Sequence, residues 1–132
     1  MGNFSSLEEA REYFKGDRFA TDNGMVIEEL EEGRCVCSMI INEKHMNANG
    51  GIMGGAIFTL GDFAFAVASN NIHKPTVAQQ VSVNFLRGAR NGKLIAEAVC
   101  KKDGRNSCVY NVDIRDEDNK DIAQFIGTGF KL

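Results

Sequence analysis

The sequence predicts an α+β fold in which one antiparallel sheet curls around a single apolar helix. Three observations support this prediction. The pattern from about residue 54 to residue 70 is helical and apolar on nearly every face, which is typical of an enclosed helix. Two strand patterns precede this segment and four follow it. Short turns join the later strands, and consecutive strands joined in this way pair antiparallel.

Length and composition narrow the classes of protein that fit. The chain has 132 residues, which is enough for one domain (residues 1–132) with a sizeable core. A net charge of -3 argues against a nucleic-acid partner. The apolar run in the middle of the chain is too short to span a bilayer, and the N-terminus does not resemble a signal peptide. We therefore expect a cytoplasmic protein with no membrane or nucleic-acid partner.

The first elements follow from local signals. Ser6 and Glu9 have the spacing of a capping box, and an apolar stripe follows, which predicts a short helix over about residues 6–14. The segment GMVIEELEEGRCVCSMII then has the pattern of two strands around Glu-Glu-Gly. Cys35 and Cys37 point to one face of the second strand.

The cysteines and histidines give little sign of a metal or a redox centre. No two of the four cysteines have C-x-x-C spacing, so reduced thiols packed as small apolar groups are expected. The two histidines, His45 and His73, have no clustered ligands near them in sequence. We therefore expect no metal and no bound cofactor.

The glycine-rich loop NEKHMNANGGIMGG leads into the apolar helix. If Gly54 and Gly55 begin that helix, their N–H groups are unpaired donors at the positive end of the helix dipole. Such donors suit an oxyanion or a polarised carbonyl oxygen. The alternative is that these glycines only let the helix enter a crowded core.

Asp62 places a carboxylate inside the apolar helix, where an unpaired charge is costly. It lies eight residues beyond Gly54, so the two are ~12 Å apart along one helix. Asp62 is therefore too far away to act on an atom held at its own helix N-terminus. It could act at the N-terminus of an antiparallel second copy, which predicts a two-fold dimer with shared sites. Alternatively, a core hydroxyl such as that of Thr59 pairs with Asp62, or the carboxylate is exposed at a gap.

Other polar residues are candidate substrate ligands. Asn47 could orient a water or a carbonyl group, although loop asparagines more often form turns. Gln79 and Gln80 lie early in a predicted strand, and one of them should face inward and need a partner. Basic and polar residues occupy two connections that we expect to be neighbours, where they could bind phosphate groups or simply be solvated. These residues are Arg87, Arg90, Lys102, Arg105 and Asn106.

The run HMNANGGIMGGAIFTLGDFA, from His45 to Ala64, resembles the signature of hotdog-fold acyl-CoA thioesterases. Within them it is most similar to the PaaI (phenylacetate-pathway) type, in the 4-hydroxybenzoyl-CoA thioesterase-like superfamily. The later segments VNFLRGA, GRN and VDIRDE extend the resemblance. It implies a hotdog fold, in which a five- or six-stranded antiparallel sheet wraps a long helix. It also implies a homodimer with shared active sites, commonly assembled as a dimer of dimers.

The resemblance also implies roles for individual residues. The N–H of Gly54 would polarise the thioester carbonyl, Asp62 of the partner subunit would be general base or nucleophile, and Asn47 would help to hold water or the thioester. Met53 replaces the histidine that the family usually has before Gly-Gly. Family members often carry Ser or Thr near residues 78–80, where only Gln79 or Gln80 could substitute.

These observations predict an enzyme that hydrolyses a small or medium, possibly aromatic, acyl-CoA. The basic residues would hold the coenzyme A phosphates, and coenzyme A is part of the substrate rather than a cofactor. One alternative is an acyl-CoA-binding module that has lost turnover through Met53. A hotdog hydratase or dehydratase is a third hypothesis, but the sequence has no histidine at the place that such an enzyme requires.

Overall fold

The computed structural model describes residues 2–132 and contains three α-helices and six strands in this range. The helices are α1 Leu7–Phe14, α2 Arg18–Thr21 and α3 Gly54–Ile72, and a single 3-10 turn spans Glu43–His45. The strands are β1 Val26–Glu31, β2 Arg34–Ile40, β3 Thr76–Phe85, β4 Lys93–Asp103, β5 Ser107–Asp116 and β6 Asp121–Lys131. The predicted α+β class and the predicted long central helix are confirmed.

The six strands form one antiparallel sheet in the order β1-β2-β4-β5-β6-β3. The connection after β3 crosses the sheet, so β3 lies at an edge although it is third in sequence. One side of β3 pairs with β6, and its other side has no partner strand within residues 2–132. This long free edge is a place where a strand of a second copy could pair.

The sheet wraps around α3, and one side of the helix is tightly packed against it. Leu60 and Ala64 on this side are fully buried. Gly61 allows the close approach, because a Cβ added there would lie 2.9 Å from the Phe125 ring and 3.2 Å from Ile114. Larger side chains at this position would therefore separate the helix from the sheet.

The N-terminal segment, which precedes β1, contains the two short helices α1 and α2. The Oγ of Ser6 accepts a hydrogen bond from the Glu9 N–H at 3.1 Å, as the predicted helix start requires. The Glu9 carboxylate bonds Ser5 instead of completing the box at Ser6. The four-residue helix α2 was not predicted, since such a short element shows no helical periodicity.

Two asparagines anchor the C-terminal end of α3. The Asn70 Oδ1 accepts from the Thr76 N–H at 3.0 Å, and its Nδ2 donates to the Thr76 carbonyl at 3.1 Å. The Asn71 Oδ1 accepts from the Phe4 N–H at 3.1 Å. Because these groups are buried, the bonds fix the helix end to both β3 and the N-terminal segment.

Candidate active site

The N-terminal end of α3 has no side-chain cap. Met53 occupies the N-cap position, and its own N–H donates to the His45 carbonyl at 2.8 Å. The next two N–H groups, those of Gly54 and Gly55, have no acceptor within residues 2–132. The sequence prediction that these glycines begin the helix is confirmed, and they present two donors at the positive end of the helix dipole.

The loop before the helix is held in place by Asn47. Its Oδ1 accepts from the N–H groups of Asn49 at 2.9 Å and Gly51 at 3.1 Å, so the turn-forming alternative is correct for this oxygen. The Asn47 Nδ2 has no acceptor in the described chain, and the residue is exposed. Gly50 adopts a φ of 82°, where glycine is favoured, and its carbonyl accepts from the Arg90 Nη1 at 3.0 Å.

His45 is buried below this loop with both ring nitrogens in use. Its Nδ1 accepts from the Asn42 N–H at 3.1 Å, which leaves the proton of a neutral ring on Nε2. The Nε2 lies 2.9 Å from the Asn23 carbonyl and donates to it. His45 therefore positions the loop and is not free for acid–base chemistry.

Asp62 lies on the open side of α3 and is half-buried. Its carboxylate forms no hydrogen bond or ion pair with any residue from 2 to 132. The Thr59 hydroxyl donates to the Gly55 carbonyl at 2.7 Å, so the alternative that Thr59 pairs with Asp62 is wrong. Burial, followed by the negative charge of Asp17, raises the pKa of Asp62. These features are typical of a functional carboxylate.

Asp17 is a neighbour of Asp62 that the sequence analysis missed. It is the N-cap residue of α2, but its carboxylate does not cap that helix. Asp17 and Asp62 line one cavity of about 300 Å³, and burial raises the pKa of Asp17 as well. An Asp directly before a short partly apolar segment is a helix-start signal that could have drawn attention to it.

A second cavity lies at the N-terminal end of α3 and is separate from the cavity that Asp17 and Asp62 line. Gly54, Phe85, Leu86 and Arg87 line a cavity of about 400 Å³ there. A Cβ added to Gly54 would lie 3.2 Å from the Phe85 ring, so the glycine lets this ring approach the helix end. The cationic side chain of Arg87 therefore lines the same cavity as Gly54, at the helix end with the free N–H donors.

Gln79 and Gln80 do not face the core. The register between β3 and β6 shifts between Ala78 and Gln80, which indicates a β-bulge, and both glutamines are exposed. The Gln80 Nε2 donates to the Ser82 Oγ at 3.2 Å. The expectation that one glutamine faces inward is wrong, because these positions of the edge strand are exposed in the described chain.

The expectation that the two basic connections are neighbours is also wrong within one chain. Arg87 and Arg90 precede β4, whereas the other three residues lie at its far end or in the turn that follows, namely Lys102, Arg105 and Asn106. The 11 residues of β4 separate the two groups by ~33 Å. Consecutive connections of antiparallel strands lie at opposite ends of the sheet. All five residues are exposed.

Residues 2–132 contain no helix that is long and apolar enough to cross a membrane. The same residues contain no group of three or more His, Cys, Asp or Glu side chains arranged to hold a metal ion. The four cysteines are free thiols in this structure.

Comparison with known families decides what kind of protein carries this site. The family described as the thioesterase superfamily matches residues 49–123, which include the glycines of the loop, α3 and Asp62. The chain belongs to the thioesterase superfamily. It is a hotdog-fold thioester hydrolase of the PaaI type, as the resemblance of the glycine-to-Asp62 run predicted.

Individual relatives match nearly the whole length of this thioesterase and agree with the family assignment. A protein of Archaeoglobus fulgidus is 34% identical over 128 residues, which is 96% of this chain and 83% of that protein. The acyl-coenzyme A thioesterase PaaI of Escherichia coli is 29% identical and covers 95% of this chain and 90% of its own length. The solved E. coli PaaI structure has a TM-score of 0.88 at 28% identity, with 96% of each chain covered.

Met53 is the residue that the sequence predicted to stand in place of a histidine. The methionine side chain is 53% exposed, and its backbone makes the local contacts. Its N–H bonds the His45 carbonyl, and its carbonyl accepts from the Ala56 N–H at 3.0 Å. The loop is therefore held at the helix start without an imidazole at this position.

Proposed function

We propose that this thioesterase hydrolyses acyl-CoA, with a small or medium and possibly aromatic acyl group, to a free acid and coenzyme A. We further propose a homodimer in which each site combines Gly54 of one subunit with Asp62 of the other. One observation carries the proposal. Two unpaired N–H donors and an unpaired carboxylate lie ~12 Å apart on one helix, too far apart to act on the same atom.

The free edge of β3 supports the dimer. This edge is 10 residues long and leaves a row of backbone donors and acceptors without partners in the described chain. If two copies pair through this edge about a two-fold axis, their β3 strands are antiparallel and so are their α3 helices. Each Asp62 then lies toward the other subunit's helix N-terminus. Phe85 is 53% exposed at the end of β3, and Leu86 just beyond it is 58% exposed, so pairing also covers apolar surface.

The outer face of the sheet supports a dimer of dimers. Val99 and Ile126 are each 40% exposed and Phe130 is 41% exposed, and all three lie on strands of this sheet. Covering such apolar positions with a second dimer would remove them from water. We therefore propose a homotetramer.

The chemistry needs only groups of the protein and a water molecule. The N–H groups of Gly54 and Gly55 would hold the thioester oxygen and stabilise the negative charge that forms on it. Asp62 of the partner subunit would take a proton from the attacking water, or would itself attack the carbonyl carbon. With Asp62 as base, the water oxygen forms the C–O bond, the C–S bond breaks, and the proton taken up by Asp62 passes to the thiolate. With Asp62 as nucleophile, its oxygen forms the C–O bond of an anhydride as the C–S bond breaks; water then hydrolyses the anhydride, which releases the acid, restores Asp62 and supplies the proton of the thiol. The free Asn47 Nδ2 could hold the water or the thioester.

The same dimer would bring together the basic residues that one chain keeps apart. Antiparallel pairing of two β3 strands places the end of one strand beside the beginning of the other. The Lys131 N–H bonds the Asn106 carbonyl, and Lys131 pairs with Thr76 at the beginning of β3. The turn with Arg105 of the partner subunit would therefore approach Arg87. We propose that these groups bind the coenzyme A phosphates.

A catalytically weak acyl-CoA-binding module is the second candidate. It is favoured by Met53, whose exposed side chain has no hydrogen-bond donor to replace the usual histidine.

We also propose a cytoplasmic location, without a membrane or nucleic-acid partner, since acyl-CoA is the proposed substrate.

Thiol release from a panel of acyl-CoAs tests these proposals. We expect turnover by the wild-type protein and a loss of about 1,000-fold in kcat for Asp62→Asn. The matched control is Asp113→Asn, because Asp113 is an exposed carboxylate on β5. Tight coenzyme A binding without turnover would instead support the binding module. Turnover that survives Asp62→Asn unchanged would contradict the mechanism.

A further inference from the structure

The β3–β4 connection (residues 86–92) lies against the loop that leads into α3 (residues 47–53, the entry loop). The Arg90 Nη1 donates a hydrogen bond to the Gly50 carbonyl at 3.0 Å. The two residues are 40 positions apart in sequence. Arg90 therefore ties the entry loop, which ends at the free donors of the helix N-terminus, to a different part of the chain.

Internal hydrogen bonds define the shape of the entry loop. The Asn47 N–H donates to the Gly51 carbonyl at 2.7 Å, and the Gly50 N–H donates to the Asn47 carbonyl at 3.1 Å. The Ile52 N–H instead donates to the Ala89 carbonyl at 2.9 Å. The loop thus folds on itself, and bonds from the β3–β4 connection help to fix its position relative to the sheet.

The contact between Gly50 and Arg90 is close on both sides. Gly50 has a φ of 82°, a left-handed conformation in which a side chain would be strained. A Cβ added to Gly50 would also lie 3.3 Å from the Arg90 Nη1 and would crowd the guanidinium. The absence of a side chain at residue 50 therefore lets the guanidinium approach this carbonyl.

The two arginines of the β3–β4 connection have different surroundings. Arg87 lines the cavity beside Gly54, and Arg90 is not part of that lining. Arg90 instead donates to the entry loop, four residues before the helix begins at Gly54. A bond from a charged donor is stronger than one between neutral groups. The contacts of Arg90 thus indicate a role in the loop, whereas Arg87 is placed to meet a ligand.

We propose that Arg90 is a positioning residue for hydrolysis, which acts through Gly50 and the entry loop. The inference rests on the proposed function. By fixing the loop, Arg90 would keep the N–H groups of Gly54 and Gly55 in the orientation that the thioester oxygen needs. It would also hold the free Asn47 Nδ2 in place. Small displacements of such groups lower the rate strongly, and we expect a loss of about tenfold for this exposed contact.

Two thioesters of the same acid test this role. One is the acyl-CoA that the wild-type protein hydrolyses fastest, and the other is the N-acetylcysteamine thioester, which has no phosphate groups. Arg90→Met keeps an unbranched stem and removes every donor. We expect kcat/KM to fall about tenfold with both thioesters, and the loss with acyl-CoA to lie in kcat rather than KM. Arg90→Lys keeps a donor and should recover part of the loss.

Arg87→Met is the comparison variant, because a phosphate ligand acts only on acyl-CoA. Its kcat/KM should fall with acyl-CoA and stay within about twofold of the wild-type value with the N-acetylcysteamine thioester. Lys120→Met is the control for loss of an exposed cation, since Lys120 lies in the turn before β6. Urea unfolding would check that each variant is folded. An Arg90→Met variant that loses activity with acyl-CoA alone would overturn the proposal.

Hydrogen–deuterium exchange separates this inference from the proposed function, because it needs no turnover. Exchange in residues 47–53 would be compared between the wild-type protein and Arg90→Met, with residues 116–121 as the reference segment. We expect about fivefold faster exchange in the entry loop and no change in the reference segment. If loop exchange rises but the wild-type protein hydrolyses neither thioester, Arg90 positions the loop and the proposal of acyl-CoA hydrolysis fails. Equal loop exchange in the two proteins would overturn the positioning role.

Discussion

The two ends of α3 are built in opposite ways. At the C-terminal end, Asn70 and Asn71 are buried and hydrogen-bonded to β3 and to the N-terminal segment. At the N-terminal end no side chain caps the helix, and the N–H groups of Gly54 and Gly55 have no acceptor in residues 2–132. A cavity opens on either side of that end.

This difference separates stability from function along one helix. Satisfied buried groups hold one end in place, and unsatisfied groups at the other end are available to a ligand. Asp62 belongs with the unsatisfied groups that are available to a ligand, because its carboxylate is half-buried and has no partner in the described chain. Changes at the open end should reduce activity, and changes at the anchored end should reduce stability.

The largest effect is expected from Asp62→Asn. Loss of the base should lower kcat by about 1,000-fold, because a positioned general base contributes about 100- to 10,000-fold. The free energy of unfolding, measured with urea, should not fall, since no hydrogen bond or ion pair is lost. A destabilised variant would show that Asp62 has a structural role, and this result would contradict the proposed separation of stability from function along α3.

Gly54→Pro should have the next largest effect. Proline removes the N–H but is compatible with the first position of a helix, and Met53 has a suitable extended conformation with φ -69° and ψ 136°. Loss of one oxyanion donor predicts a fall in kcat of about 100-fold. Gly54→Ala is the matched control, because it adds a Cβ near Phe85 and keeps the N–H. Equal losses in both variants would indicate crowding instead of a lost donor.

Asn70→Ala tests the anchored end. It leaves the buried backbone groups of Thr76 without their partner, which should lower the free energy of unfolding by about 3 kcal/mol. At a temperature where the variant is folded, we expect kcat to stay near the wild-type value. Urea unfolding and thiol release would be compared with Asn111→Ala, a half-buried asparagine on β5. A large fall in kcat without destabilisation would contradict this division.

The smallest effect is a shift in pH dependence for Asp17→Asn. Burial raises the pKa of Asp62, and the charge of Asp17 raises it further. The base is active when ionised, so activity is lost as the pH falls through this pKa. Arg18 also lines the cavity, but its guanidinium pairs with Asp22 at 2.9 Å. Removing the Asp17 charge should lower the pKa and move the acidic limb of kcat/KM to lower pH.

The control for this profile is Asp113→Asn, which changes an exposed carboxylate outside the cavity. Its acidic limb should coincide with that of the wild-type protein. An acidic limb that moves to higher pH in Asp17→Asn would contradict the proposed influence of Asp17 on Asp62.

The sequence was most informative where the signals are local. The apolar pattern predicted α3 with its start at Gly54, and the spacing to Asp62 followed from helix geometry alone. The strand patterns predicted six strands because each one has its own alternation and turn. The site residues within this single run could therefore be proposed without a structure.

The errors concern residues whose positions depend on distant parts of the chain. The two basic connections lie at opposite ends of β4, and the exposure of Gln79 follows from the edge position of β3 and its bulge. Asp17 precedes, and Phe19 lies in, a helix too short for a periodic signal, yet both residues line cavities beside α3. Their contribution depends on where α2 lies in the folded chain.

Heterodimers of two inactive variants test the central claim most directly. Asp62→Asn and Gly54→Pro subunits with different affinity tags would be coexpressed and purified through both tags in sequence. If each site combines Gly54 of one subunit with Asp62 of the other, one of the two sites has both native residues. The heterodimer should then recover about half of the wild-type kcat per dimer. A heterodimer as inactive as either parent homodimer would contradict the shared site.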